Sequence, residues 1–347
     1  MKVETGIPTN DLRASGAAAA KLEALGYDGV LANEVKNDPF MPLAAAALTT
    51  ERVTLGTSVA IAFPRSPMIT ALMSWDIQRA SNGRFILGLG TQVKGHNERR
   101  YSAPWVGPAQ PRMREYVSAI KAIWNTFQTG EKLDFRGKYY THTLMTPEFN
   151  AGPLACGAPK IVISAVGPFM ARLAGELCDG VRMHGFCTAK YIQDVILPEL
   201  RIGAARAGRD PATLDISGGG FVVTGETQAE VEQQLEAART RVSFYGSTRT
   251  YHGVFEAHGW SDLGPRLHEM SLKGQWEAMP AAVPDDVLEQ FVIAGTYDQI
   301  VQRLRERFAG ICTSVSLSLQ ADTPAAAERA RALIADLHAV TEPAGTR

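Results

Sequence analysis

Short segments along the chain end an apolar run on small or polar residues: Asn33-Glu34, Ser58-Val59, Gly90-Thr91-Gln92, Ser164-Ala165-Val166-Gly167 and His184-Gly185. A continuous Val/Ile/Leu run reads as a parallel strand buried on both faces, and a small residue at its end lets a flat ligand come close to the backbone. Gly167-Pro168 leads into a helix, where free backbone N–H groups and the helix dipole favour a phosphate. Glu34, His96 and His184 add side chains that can take or give a proton, and a dry cleft moves such groups toward the working pH range. The chemistry these residue types allow is cofactor binding with proton handling beside it. Each also has a plainer reading: Glu34 as an ion-pair partner, His96 as a loop cap beside Asn97 and Glu98, His184 as a hydrogen-bonded wall, Gly90 as an exit turn.

Other chemistries lack their patterns. After Gly88 and Gly90 the next glycine is Gly95, so the dinucleotide spacing GxGxxG is not met, and the sequence holds neither a GxSxG elbow nor an HExxH pair. The seven histidines have no metal-ligand spacing, and the four cysteines (Cys156, Cys178, Cys187, Cys312) form no CxxC motif. They read as reduced thiols of a cytoplasmic protein. With 35 basic against 36 acidic side chains and a formal net charge of −1, the chain carries no basic stripe for nucleic acid or an anionic membrane surface. No apolar run approaches the roughly 20 residues that span a bilayer, and residues 1–10 read as a strand rather than a leader.

The elements that must position these residues alternate. Strands are expected at Val3–Gly6, Gly29–Ala32, Val53–Ala60, Phe85–Gly90, Ile161–Ala165, Gly180–Met183, Ile216–Thr224 and Ser314–Leu319. Helices are expected at Asp11–Leu25, Pro42–Thr49, Pro67–Ser81, Arg112–Phe127, Phe169–Leu177, Lys190–Ala207, Gln228–Phe244, Tyr297–Phe308 and Pro324–Val340. Asn10 or Asp11 can cap the first of these helices, and Ser66 the third. Eight strands alternating with helices make a (β/α)8 TIM barrel, with a hairpin inserted after the fourth strand near Leu133–Tyr140. Leu25-Gly26-Tyr27-Asp28-Gly29-Val30 and Leu177-Cys178-Asp179-Gly180-Val181 resemble each other half a barrel apart. Residues 245–290, after the seventh helix, are too long for an ordinary connection. They read as a partly helical insertion, with a helix at Asp285–Val292, that either covers the site or forms an interface. Domain organisation is thus one barrel over residues 1–340 and a tail at 341–347.

The chain resembles the bacterial luciferase-like superfamily, in particular its branch that uses the deazaflavin coenzyme F420. The resemblance rests on Leu55-Gly56-Thr57-Ser58-Val59, Ala62-Phe63-Pro64-Arg65-Ser66-Pro67, Gly83-Arg84-Phe85-Ile86-Leu87-Gly88-Leu89-Gly90-Thr91, Phe149-Asn150-Ala151-Gly152-Pro153 and Ala174-Gly175-Glu176-Leu177-Cys178-Asp179-Gly180-Val181. It implies a cis peptide bond at Ser58-Val59 behind the cofactor ring and contacts to the ring edge from Gly90, Thr91 and Gln92. It also implies a site for the tail phosphate at Ser164, Ala165, Val166 and Gly167, with Asn33 beside the cofactor. Arg65, Arg99 and Arg100 are further candidates for the anionic tail. Relatives that oxidise alcohols or sugar phosphates often carry His after the second strand, where this chain has Asn33-Glu34. The function implied is hydride transfer between the deazaflavin and a small organic substrate, in a homodimer. The alternatives are an FMN-dependent monooxygenase and a flavin-binding barrel without turnover.

Overall fold

Eight parallel strands close into a barrel: β1 (Lys2–Gly6), β2 (Gly29–Ala32), β3 (Thr54–Thr57), β4 (Phe85–Gly90), β5 (Lys160–Ala165), β6 (Gly180–Met183), β7 (Asp215–Ser217) and β8 (Ser314–Ser316). Closure is made where Val3 of β1 pairs with Val315 of β8 and Leu55 of β3 pairs with Phe85 of β4. The structure is a computed structural model, and it describes residues 1–340; the expected tail at 341–347 lies outside the described residues. Because every barrel pairing is parallel, all eight C-terminal strand ends open on one face.

The helices form where local signals ask for them. The Asp11 carboxylate accepts from the backbone N–H of Arg13 and Ala14 to start helix Leu12–Leu25, and Gly26 ends it at φ 103°. Ser66 caps helix Pro67–Ala80 through the Met68 N–H. Helix Ala109–Thr129 buries Met113, Tyr116, Ile120, Ile123, Trp124 and Phe127, and Trp75 packs 6.2 Å from Trp124 and 5.4 Å from Phe127. The two similar Asp-Gly turns do the same work. Asp28 accepts from the Val3 N–H at 2.7 Å, and Asp179 accepts from the Ile161 N–H at 2.8 Å. Each ties the start of one strand to the start of the next, half a barrel apart.

Four expected elements differ in the structure. The run 53–60 is broken: β3 stops at Thr57, and a separate strand Ala60–Ile61 resumes after a cis peptide bond at Ser58-Val59. The run 216–224 is two strands, because Gly218-Gly219-Gly220, with Gly220 at φ 85°, turns the chain out of the barrel. Its second part, Phe221–Gly225, pairs in parallel with Val292–Thr296, a strand absent from the sequence reading, to make a small outer sheet. Helix 190–207 contains a π-helical stretch, Ile192–Ile196, just before Pro198, whose missing N–H interrupts the regular ladder. The last strand ends at Ser316 rather than Leu319.

Inside the barrel, Arg182 of β6 reaches across to Glu4 of β1 with two hydrogen bonds, at 2.7 and 3.1 Å, and Ser314 donates to the same carboxylate at 3.4 Å. Both side chains are buried. Glycine makes room for them: a Cβ at Gly29 would come 3.0 Å from the Glu4 carboxylate, and one at Gly56 would come 3.2 Å from the Arg182 guanidinium. Removing one partner of such a pair leaves a charge without compensation. Arg182→Met is expected to lose about 3–5 kcal/mol of stability, read as a lower urea midpoint.

Candidate active site

Strand alternation builds the mouth of the barrel. Glu4, Gly29, Gly56 and Arg182 meet in the interior. Residues two positions further along each strand therefore face the same interior one layer higher: Gly6, Leu31, Ser58 and His184. Asn33 follows on the β2 side. Gly90 adjoins Ser164, since a Cβ added to Gly90 would lie 3.9 Å from the Ser164 Cβ. Gly6, Asn33 and Ser316 are exposed, while Ser58, Val59, Thr91, Gln92, Ser164, Val166, Gly167 and His184 are half-buried. These strand ends line one bowl, with small residues at Gly6, Ser58, Gly90 and Ser164 and larger ones at Leu31, Gln92 and His184.

One wall of the bowl is the bend at Ser58-Val59. The Thr57 hydroxyl donates to the Gly88 carbonyl at 2.7 Å and accepts from the Gly88 N–H at 2.8 Å. A Cβ at Gly88 would sit 2.0 Å from the Thr57 carbonyl oxygen. On the other side, the Ser58 N–H donates to the Ala32 carbonyl at 2.8 Å. Gly90 must also be glycine for Val59 to pack as it does, since a Cβ there would come 2.6 Å from Val59 Cγ2. Beyond Gly90 the loop is held by Asn97, a residue the sequence reading named only as a neighbour of His96. Its buried carboxamide donates to the carbonyls of Thr91 at 3.0 Å and Val93 at 3.2 Å, and Gln92 adopts φ 55°. His96 itself is exposed on the short helix Lys94–Arg99, with no side-chain hydrogen bond among the described residues.

Glu34 lies in an ion-paired network behind the same wall. Its carboxylate accepts from the Ile61 N–H at 2.7 Å, from Arg65 at 2.7 and 2.9 Å, and from the Tyr101 hydroxyl at 3.3 Å. Arg65 also binds Asp38 at 2.8 Å. Burial works against the Arg65 charge, but Glu34 and Asp38 outweigh it and hold the guanidinium above its ordinary pKa. This arrangement ties the loop after β2 to the strand that resumes after the bend. Arg65 is therefore committed to carboxylates of its own chain. Arg100 is bonded to the Val35 carbonyl, and Arg99 is exposed.

Across the bowl, Ser164-Ala165-Val166-Gly167 leads into helix Pro168–Leu177, whose N-cap Gly167 makes no side-chain cap. Nothing lies within 4 Å of a Cβ built on Gly167. The N–H groups of the first turn after Pro168 have no intrahelical partner. Tyr191 braces this loop by donating to the Val166 carbonyl at 2.9 Å. Beside it, His184 packs against Tyr245 and Tyr251, with ring centroids 4.4 and 5.1 Å apart. The beginning of the 245–290 insertion is thus a wall of the mouth. The Phe186 N–H donates to His184 Nδ1 at 2.9 Å, so the neutral ring carries its proton on Nε2. Burial pushes the His184 pKa down to about 4. Tyr245 and Tyr251 stood out in the sequence only as aromatics in a stretch that fitted no barrel element.

Among the described residues, no group of three or more His, Cys, Asp or Glu could hold a metal ion, and no helix is long and apolar enough to cross a membrane. A separate cavity of about 650 Å3, lined by Val231, Leu235, Val292, Arg303 and Arg307 among others, lies against the outer sheet and includes no strand end of the barrel.

A family model described as luciferase-like monooxygenase matches residues 2–314. The chain belongs to this family. An uncharacterised protein of Mycobacterium tuberculosis is 44% identical over 315 residues, covering 91% of this chain and 92% of that protein. The phthiodiolone/phenolphthiodiolone dimycocerosates ketoreductase of the same species is 28% identical over 266 residues, 74% of this chain and 66% of the relative. Among solved structures, the coenzyme F420-dependent tetrahydromethanopterin reductase of Methanopyrus kandleri superposes with a TM-score of 0.75 at 20% identity, over 97% of this chain and 99% of that one. The oxygenating constituent of the Pseudomonas putida 3,6-diketocamphane monooxygenase, in complex with FMN, gives 0.68 at 16% identity over 98% of both chains. The luciferase-like fold accounts for the barrel and for the position of its mouth.

The His184 environment sets a pH dependence. Its folded pKa of about 4 lies below the ordinary 6.5 because burial disfavours the charged ring. As pH falls through that window, the unfolded chain takes up a proton that the folded chain refuses, so stability is full above the window and lost within it. The contribution is about 3 kcal/mol. His184→Gln should show a shallower fall in urea midpoint between neutral and acidic pH than the parent protein.

Proposed function

We propose that this luciferase-like barrel is an oxidoreductase that binds the deazaflavin coenzyme F420 in its mouth and passes a hydride between it and a small organic substrate. The observation that carries this reading is the state of the protein's own groups around the bowl. Glu34 is bound to Arg65, and His184 is neutral with its tautomer set. These side chains bind and orient; they supply neither a nucleophile nor an electron pair for redox chemistry, so a bound cofactor must. The residues fit a flat ring with an anionic tail. Glycine and serine strand ends leave a shallow space, and Gly90 stands where a Cβ would crowd Val59 in the wall. Deazaflavin, when bound, supplies a carbon that carries hydride.

In this arrangement Ser58 and Val59 back the ring. Gly90, Thr91 and Gln92 meet its edge with backbone groups, Asn97 holding them in place. The N–H groups after Ser164-Ala165-Val166-Gly167 take the tail phosphate. Asn33 and His96 border the entrance, and Glu34 keeps the wall in register through Ile61. The deazaflavin branch is favoured by the quoted motif stretches and by the ketoreductase relative, whose name describes reduction without oxygen. FMN-dependent oxygenation is the second reading, favoured by the family description and by the FMN-bound neighbour. We further propose that two copies associate through helices Phe40–Ala47 and Pro67–Ala80, where Met41, Leu48 and Ile69 stand exposed.

Titration of the purified protein with oxidised coenzyme F420 and with FMN, followed by fluorescence, tests the cofactor. F420 is expected to bind at least about tenfold more tightly. Preference for FMN with substrate-dependent oxygen uptake would overturn the reading. Gly90→Ala should weaken cofactor binding about tenfold by pushing Val59 into the ring's space, a loss of about 1.4 kcal/mol.

A further inference from the structure

Three polar groups at the β6 corner of the mouth have no hydrogen-bond partner among the described residues, yet none is sealed away from solvent: His184 Nε2–H, the Tyr245 hydroxyl and the Tyr251 hydroxyl. They form one cluster. The His184 ring stands edge-on to Tyr245 at 4.4 Å and tilted to Tyr251 at 5.1 Å, and the two tyrosine rings are 6.4 Å apart. Apolar faces flank them. Phe221 stacks on Tyr245 at 6.3 Å, and Phe186 stacks on Tyr251 at 5.9 Å. The corner is also free of charge: burial alone lowers the His184 pKa, and burial with the neighbouring Tyr245 raises that of Tyr251 to about 12.

We propose that His184, Tyr245 and Tyr251 are the substrate subsite, and that the group they take is a neutral carbonyl oxygen carried on a flat, apolar molecule. His184 Nε2–H can only donate, so the ligand atom that meets it must be an acceptor. A carboxylate or phosphate would enter an aromatic-walled corner where no cation lies against these three groups, and a cation would face the positive end of the N–H. A carbonyl oxygen satisfies both conditions. Its two lone pairs take two of the donors, and the remaining tyrosine hydroxyl donates to its neighbour. The neutral tautomer matters, because the proton stays on Nε2 across the physiological range and keeps polarising the carbonyl. This inference rests on the oxidoreductase reading for what happens to the carbonyl, but not for the recognition itself.

Four probes on the same ring separate the chemistries: cyclohexanone, cyclohexanol, cyclohexanecarboxylate and cyclohexylamine. Each is titrated into the full chain, with and without coenzyme F420, while the His184 imidazole 15N resonances are followed by NMR. Cyclohexanone is expected to shift Nε2 and to bind at least about tenfold more tightly than the carboxylate or the amine. Tyr245→Phe and Tyr251→Phe should each weaken it about tenfold while the affinity for F420 holds. Their folding is checked by the unchanged signals of the other histidines. Equal binding of carboxylate or amine, or a ketone affinity untouched by both phenylalanine variants, would overturn the subsite. Ketone selectivity in a protein that binds no F420 would leave the subsite standing and sink the cofactor reading instead.

Discussion

The mouth of this barrel depends on one close contact. Strand β3 breaks at Ser58-Val59, yet both of its parts pair with β4, and the Thr57 hydroxyl secures the junction by bonding to the N–H and the carbonyl of Gly88. The backbones come so near that the Thr57 carbonyl oxygen occupies the space a side chain at position 88 would need. From this contact follow the position of Val59, the requirement for glycine at 90 and the line of the bowl's wall. Glu34, Arg65 and Asp38 then hold the adjoining loops with charges paired among themselves.

The two sides of the bowl are built from different physics. On the β2–β4 side, buried ion pairs and backbone hydrogen bonds make a rigid, sterically defined surface. Glu34 and Asp38 there share the one Arg65 guanidinium. On the β6 side, neutral donors stand among aromatic rings, and the insertion supplies two of them. Low dielectric surroundings strengthen hydrogen bonds made to these donors and penalise an uncompensated charge. The proposed function uses both walls, with a flat molecule against one and discrimination by polarity at the other. Below both, the Glu4–Arg182 pair fills the barrel where a hydrophobic plug would otherwise sit, and Gly29 and Gly56 give it room.

Much of the barrel was legible because its signals are local. Gly180–Met183 and Tyr297–Phe308 match in both bounds, and caps at Asp11 and Ser66 act as their positions imply. The paired Asp-Gly turns, visible as a resemblance, proved to be the same hydrogen-bonded junction used twice. Illegible parts share a cause: their conformation is decided by partners far away in sequence. Val292–Thr296 is a strand because Phe221–Gly225 is beside it, and the break after Ser217 follows from three glycines whose direction only packing can choose.

By itself, the sequence determined that the chain alternates apolar strands with amphipathic helices, that its strand ends are small and polar, and that metal, nucleotide-fold and hydrolase patterns are missing. Those properties depend on residue type and spacing, which the chain carries everywhere. Only the tertiary structure decided which polar groups are spent and which are free. It put Arg65 on Glu34, set Asn97 under the loop after β4 and brought Tyr245 and Tyr251 to His184 across some sixty residues of chain. Hydrogen bonds and burial act through space over a few ångströms, and closing the barrel is what turns distant positions into neighbours.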